Sequence, residues 1–92
     1  MKIRDVTTPK FTARWLVVSG GEKEDQLLLL DLMIPRKNDD RMITFYYREM
    51  QDFIDRPTLI RGRLDHMDWI TSDADIHELL AYFIRFKEGV DR

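Results

Sequence analysis

The residues best suited to chemistry lie in one acidic segment, residues 64–84. No Lys or Arg occurs in it, while it holds five carboxylates and both histidines of the chain: Asp65, Asp68, Asp73, Asp75, Glu78, His66 and His77. Carboxylates and imidazoles can hold a metal ion, but their spacing here matches no established ligand pattern. We therefore expect no metal site and no cofactor.

Nucleophilic chemistry has no recognisable setting in this sequence. Ser19 and Ser72 lack the Gly-x-Ser-x-Gly context and a neighbouring histidine that would act as base. The pair Gly20-Gly21 lacks the Lys-Ser/Thr that follows a phosphate-binding glycine loop. Cysteine is absent, which excludes thiol chemistry and disulfides. The sequence therefore predicts a protein that is not an enzyme.

The acidic segment is better suited to binding a basic protein surface. Aromatic groups dominate binding hot spots, and charges around them speed association. Trp69 lies among these carboxylates, so we expect a docking face with two acids beside the indole and two at its rim. The predicted contact residues are Asp65, Asp68, Trp69, Asp73 and Glu78.

An alternative is nucleic-acid binding by arginine and tyrosine on a sheet face, where rings stack on bases and guanidinium groups neutralise phosphates. Residues 35–63 hold seven Arg or Lys against five Asp or Glu. The candidate residues are Tyr46, Arg48, Arg56, Arg61 and Arg63. The net charge of −2 and the acidic neighbours argue against this alternative.

Two apolar runs at the centre of the chain predict the framework that positions these residues. Residues 27–34 and 42–47 are rich in branched or aromatic side chains, and the polar connector 35–41 has turn chemistry. Alternating apolar residues predict strands over 11–19, 26–34, 42–48 and 58–67, with Leu28, Leu30 and Leu32 on one face. A short helix is expected over 49–55, ending before Pro57.

The C-terminal helix has the clearest signals. Ser72 and Asp75 form an S-x-x-D capping box. An apolar stripe at helical spacing follows: Ile76, Leu79, Leu80 and Phe83. Gly89 is expected to end the helix. The predicted fold is therefore α+β, with a small antiparallel sheet of about four strands and a C-terminal helix packed on one face.

Length and composition are those of one folded domain spanning residues 1–92. The hydrophobic fraction is 43%, as in ordinary globular proteins. Apolar stretches fall short of the roughly 18 residues of a membrane span, and residues 1–5 lack the apolar core of a signal peptide. A cytoplasmic location is expected.

These observations favour a non-enzymatic protein-interaction module. By association with the short, charged, cysteine-free proteins of phages and mobile elements, we expect an inhibitor or regulator of a larger, nucleic-acid-handling protein. A second alternative is a homo-oligomeric structural protein, because the strand around 27–33 is apolar on both faces and a homodimer would bury the excess.

Overall fold

In the part of the chain that the structure describes, an antiparallel sheet and three helices form two layers. The computed structural model describes residues 9–16, 20–33, 42–63 and 72–92. The strands are β1 (Phe11–Leu16), β2 (Leu27–Leu32) and β3 (Met42–Tyr46), in the order β1-β2-β3. The helices are α1 (Tyr47–Asp55), α2 (Thr58–Arg63) and α3 (Asp73–Asp91), and a 3-10 turn covers Lys23–Asp25. The α+β class is confirmed, with three strands in the described residues instead of about four.

The alternation of β2 determines which face of the sheet is covered. Leu28, Leu30 and Leu32 are buried, while Leu27 and Leu29 between them are half-buried. Successive side chains of a strand point to opposite faces, so one apolar set enters the core. The register then aligns this set with its neighbours: Leu30 pairs with Ala13 of β1 and Ile43 of β3. The predicted inward face of β2 is confirmed.

Three phenylalanines join the sheet to both longer helices. Phe45 of β3 packs edge-on against Phe83 of α3, with ring centroids 4.7 Å apart, and against Phe53 of α1 at 5.6 Å. Phe53 and Phe83 are 5.9 Å apart. Edge-to-face aromatic pairs at these distances add about 0.5–1.5 kcal/mol to the burial of their area. The helices therefore pack on the same face of the sheet.

Helix α3 begins as predicted and continues further than predicted. Ser72 Oγ accepts a hydrogen bond from the Asp75 backbone N–H at 3.1 Å, which confirms the capping box. Leu79 and Phe83 are fully buried, whereas Leu80 at the border of the stripe is only half-buried. Gly89 lies inside the helix, which ends at Asp91, so its prediction as a helix stop is wrong.

Gly89 has a packing role instead. A Cβ at this position would lie 3.1 Å from the six-membered ring of Trp15. The missing side chain lets the Trp15 indole approach α3, where it also packs edge-on against Phe86 with centroids 5.3 Å apart. The glycine therefore brings β1 and the last turns of α3 together.

The fourth predicted strand is wrong. Thr58–Arg63 forms α2, and residues 64–67 of the predicted strand lie outside the described residues. The apparent alternation depended on Ile60, Gly62 and Leu64. Ile60 is buried, Gly62 has no side chain to pack, and Leu64 lies outside the described residues. Pro57 lies just before the helix, where its missing N–H costs nothing and its fixed φ suits a helical start. The backbone N–H of Ile60 bonds to the Pro57 carbonyl at 3.1 Å.

The remaining boundaries differ by a few residues. Strand β3 ends at Tyr46, and Tyr47 begins α1, two residues earlier than the predicted helix start. The described parts of the other two predicted strands confirm their type, while residues 17–19 and 34 lie outside the description.

Truncating the apolar stripe of α3 should reveal its orientation. Leu79→Ala is expected to lower the free energy of unfolding by about 2–5 kcal/mol, which is the usual effect of replacing a fully buried leucine by alanine. Leu80→Ala should cost about half of that or less, because its side chain already contacts water. Urea unfolding of both variants measures the difference. Equal losses would contradict the orientation of α3 described above.

Candidate functional site

The predicted acidic face is only partly within the described residues. Asp65, Asp68 and Trp69 lie outside them. Asp73 is exposed at the start of α3, and its Oδ1 lies 2.8 Å from a guanidinium nitrogen of Arg61. An exposed pair of this kind contributes little to stability, but the positive charge of Arg61 offsets the negative charge of Asp73.

Glu78 does not lie on an exposed rim, so its predicted place there is wrong. Its side chain is 3% exposed. One carboxylate oxygen accepts a hydrogen bond from the Phe11 backbone N–H at 2.8 Å, and the Lys10 N–H lies 2.8 and 2.9 Å from the two oxygens. The Tyr82 hydroxyl is 3.0 Å away. A buried carboxylate is stable only with such partners, and here they attach the start of β1 to α3.

Asp75 extends the same contact by one helical turn. Its Oδ2 lies 3.0 Å from Lys10 Nζ, and this ion pair is half-buried. We call Lys10, Phe11, Asp75, Glu78 and Tyr82 the β1–α3 clamp. Asp75 and Glu78 are three residues apart and therefore face the same side of the helix. Two of the five acids of the segment thus stabilise the fold and do not contribute to a docking face.

Tyr82 completes the clamp. Its hydroxyl lies 2.8 Å from the Phe11 carbonyl oxygen and 3.0 Å from Glu78 Oε2, so both acceptors compete for one proton. Burial, together with the hydrogen bond to Glu78 and its negative charge, raises the pKa of Tyr82 to about 12. The hydroxyl therefore stays protonated wherever the protein is folded near neutral pH.

The arginines of the alternative site were predicted to share a sheet face, and this prediction is wrong. Arg48 belongs to α1, Arg61 and Arg63 to α2, and Arg56 lies between these two helices. Only Tyr46 is on a strand. The outward alternation predicted for 58–67 is wrong for its described part, because Thr58–Arg63 is helical.

Three of these arginines lie beside acidic side chains. Arg48 is 3.1 Å from Asp25 and stacks on the Tyr46 ring at 3.9 Å. Arg61 pairs with Asp73, and Arg63 Nε lies 3.8 Å from Glu49 Oε1. Phosphates would have to compete with these carboxylates, so the arrangement does not favour a nucleic-acid groove.

A cluster at the end of α3 joins three elements and has a structural explanation. The Tyr47 hydroxyl donates to Asp91 Oδ1 at 2.6 Å, and Lys23 Nζ lies 2.9 Å from the same oxygen. The hydrogen bond from Tyr47, and then that from Lys23, lower the pKa of Asp91. Lys87 Nζ lies 4.0 Å from the Tyr47 ring centre. The cluster attaches the last turn of α3 to the start of α1 and to the 3-10 turn.

The edge of the sheet at β1 was missed by the sequence analysis. Within the described residues no strand pairs with β1 on its second side. The Met33 N–H bonds to the Lys10 carbonyl at 2.8 Å, so Lys10 and every second residue after it face β2. The peptide groups of Phe11, Ala13 and Trp15 point the other way. The clamp occupies those of Phe11, which leaves Ala13 and Trp15 to form the edge.

An apolar groove of about 260 Å³ runs beside this edge, between β1 and α3. Its lining residues are Ala13, Trp15, Leu28, Tyr82, Arg85 and Phe86. Trp15 is 46% exposed although it faces the helical layer, and its Nε1 is 3.3 Å from Gln26 Oε1. The small side chain of Ala13 leaves the groove open. One sequence signal was present: the first strand of a meander lies at an edge.

Comparisons with other proteins identify no relative of this chain. No protein-family model, no curated protein and no solved structure matches it. Among the described residues, no three His, Asp or Glu side chains are grouped so that they would hold a metal ion. In the same part of the chain, no helix has the length and apolar character needed to cross a membrane. The geometry of the surfaces is therefore the basis for a functional proposal.

The clamp should make the protein less stable at strongly alkaline pH, because Tyr82 then loses its proton. The folded-state pKa of Tyr82 lies above its ordinary value of 10, so its contribution is complete below about pH 10 and is lost as the pH rises towards 12. Tyr82→Phe should cost about 1 kcal/mol at pH 7 and should flatten the decline between pH 10 and 12. Urea unfolding at several pH values measures the free energy of unfolding of each variant. Tyr46→Phe is the control, because it also removes one phenol hydroxyl but lies outside the clamp. An unchanged decline in Tyr82→Phe would contradict this role of Tyr82.

Nucleic-acid binding is expected to be weak. We predict no binding of single-stranded DNA or RNA oligonucleotides tighter than roughly 1 µM at physiological salt, because the arginines already face carboxylates. Fluorescence anisotropy measures the affinity. Tighter binding that is lost in Arg61→Ala/Arg63→Ala and retained in the control Arg92→Ala would reverse this conclusion.

Proposed function

We propose that this protein is a non-enzymatic interaction module that binds an extended segment of another protein along the edge of β1. The observation that carries the proposal is the combination of outward peptide groups at Ala13 and Trp15 with the apolar groove beside them. Addition of a strand to an open sheet edge is a common mode of peptide recognition, in which backbone bonds give affinity and side-chain pockets give specificity.

The backbone of β1 supports one added strand. Ala13 and Trp15 each direct one N–H and one C=O to the edge, and alternate residues of a strand lie about 6.8 Å apart. A partner strand therefore gains up to four hydrogen bonds. The clamp occupies the corresponding groups of Phe11. The added strand would thus extend from Ala13 towards the C-terminal end of β1 and would not cover the start of the strand.

The groove defines the side chain that the partner presents. Side chains of an added strand alternate between the two faces of the sheet, so one of them enters the groove next to Ala13. Aromatic and aliphatic walls favour a large apolar residue, which would also bury part of the exposed Trp15 indole. The proposed ligand is an extended segment with one large apolar residue.

Regulation of a larger, nucleic-acid-handling protein remains part of this proposal. A module that captures an extended segment can keep that segment from its normal contacts, which is a simple route to inhibition. Docking through the acidic segment remains an additional proposal with Asp65, Asp68 and Trp69 as its contacts. The burial of Glu78 and the Arg61 pair of Asp73 weaken the rim of that surface.

Selection from a random peptide library displayed on phage tests the proposed edge. Peptides enriched on the full chain should share one large apolar residue. Ala13→Pro removes one outward N–H and retains the bonds between β1 and β2, because Ala13 does not bond to β2. We expect it to weaken binding at least about tenfold, the equivalent of one or two hydrogen bonds. Ala13→Leu should weaken it by filling the groove.

The selected peptides provide their own control. N-methylation of the peptide amides that face β1 should abolish binding, while N-methylation of the alternate amides should leave it unchanged. Thermal melts show whether each variant is folded. The proposal is wrong if no sequence is enriched, if folded Ala13→Pro binds as tightly as the parent, or if both N-methyl patterns behave alike.

A further inference from the structure

Three aromatic rings line the groove beside β1, and the polar groups of two of them are bonded outside it. The rings belong to Trp15, Tyr82 and Phe86. Trp15 Nε1 lies 3.3 Å from Gln26 Oε1, and the Tyr82 hydroxyl lies 2.8 Å from the Phe11 carbonyl oxygen. Neither of these two acceptor residues lines the groove. The rings of Trp15 and Tyr82 therefore present carbon atoms to a ligand there.

The Trp15 indole is held in place by neighbours from two parts of the chain. Besides its contact with Gln26, it packs edge-on against Phe86, with ring centroids 5.3 Å apart and an angle of 70° between the planes. It also lies against Gly89, where a Cβ would be 3.1 Å from the ring atom Cζ3 and 3.6 Å from Cη2. The shorter distance is below the roughly 3.5–4.0 Å of a favourable carbon–carbon contact. The indole is nevertheless 46% exposed, so a ligand can still cover part of it.

We propose that the groove selects an aromatic side chain of the bound segment, and that Gly89 determines this selectivity by letting Trp15 pack against α3. This selectivity rests on the proposed function, because it specifies which residue of the extended segment enters the groove. Leucine and phenylalanine side chains gain similar free energy when they leave water. Offset or edge-on contact between rings adds attraction that an aliphatic side chain lacks, so phenylalanine should bind about threefold to tenfold more tightly.

Gly89 acts in this selection as a positioning residue. It is not among the residues that line the groove, so its influence on a ligand passes through Trp15. An alanine at this position would move the indole by a few tenths of an ångström and disturb its edge-on contact with Phe86. We therefore expect Gly89→Ala to reduce the preference for phenylalanine over leucine, although the ligand does not contact residue 89.

NMR titration of the full chain with N-acetyl-phenylalaninamide and N-acetyl-leucinamide tests this selectivity without a selected peptide. Both compounds should shift the signals of the Ala13 methyl group and the Trp15 indole N–H, and the phenylalanine compound should bind about threefold to tenfold more tightly. Gly89→Ala should lower that ratio at least about twofold. The matched control Gly62→Ala should leave it unchanged, because a Cβ at Gly62 meets open space. Absent shifts, equal affinities in the parent or an unchanged ratio in folded Gly89→Ala would overturn the selectivity.

Thermal melts test the contact between Gly89 and Trp15 even if the alanine variant is destabilised. In the Trp15→Leu background the alanine has no indole to displace, and its higher helix propensity should raise Tm. In the parent background the same substitution should raise Tm less, or lower it, and the difference measures the coupling between the two residues. Equal changes of Tm in both backgrounds would overturn the positioning role of Gly89.

Failure of the edge proposal and failure of the aromatic selectivity give different results. If selected peptides show the expected N-methylation pattern but bind equally well with phenylalanine or leucine in the groove, strand addition is supported and the aromatic selectivity is wrong. If no peptide is enriched, but the capped phenylalanine compound is preferred and this preference depends on Gly89, strand addition is wrong and the aromatic selectivity is supported.

Discussion

The buried carboxylate of Glu78 is the contact on which the arrangement of β1 depends. It accepts the backbone N–H groups of Lys10 and Phe11 and lies beside the Tyr82 hydroxyl, so the first residues of β1 are attached to the middle of α3. An edge strand has a partner on one side only, and this attachment holds its start against the helical layer. Further along, Trp15 contacts the last turns of α3. The groove lies between these two attachments, and they set the distance between β1 and α3 on either side of it.

The clamp also explains why a count of charges along the chain placed Glu78 on an exposed rim, where it does not lie. Residues three apart on a helix lie on one side, so Asp75 and Glu78 both face β1, while Asp73 lies away from it at the exposed N-terminus. Burial of two carboxylates would be costly without partners, and the donors of Lys10, Phe11 and Tyr82 offset that cost. A run of charged residues on a helix therefore forms a charged surface only on the side that faces water. Which side faces water depends on the strand that packs against the helix.

The sequence predicted the features that depend on a few neighbouring residues. The features that depend on contacts between distant parts of the chain were not predicted. The alternation of β2 and the capping box of Ser72 were predicted because side-chain period and N–H satisfaction are properties of a few neighbouring residues. The strand expected over 58–67 is a helix over Thr58–Arg63, because in this part Ile60 was the only apolar side chain of the predicted inward set, and a single buried residue fits a helix equally well. The candidate edge and groove were not predicted, because the small side chain of Ala13 forms a groove only together with Tyr82 and Phe86, which are distant in the sequence.

One short strand presents two different surfaces because its side chains alternate. Ala13 and Trp15 border the groove and direct their peptide groups to the edge, whereas Arg14 and Leu16 lie on the opposite face of the sheet, and their peptide groups bond to β2. A substitution at Ala13 thus changes the edge and leaves the side chains of the opposite face in place. The effect of the proposed strand addition can therefore be separated from that of changes at Arg14, because the two residues share neither a sheet face nor a direction of their peptide groups.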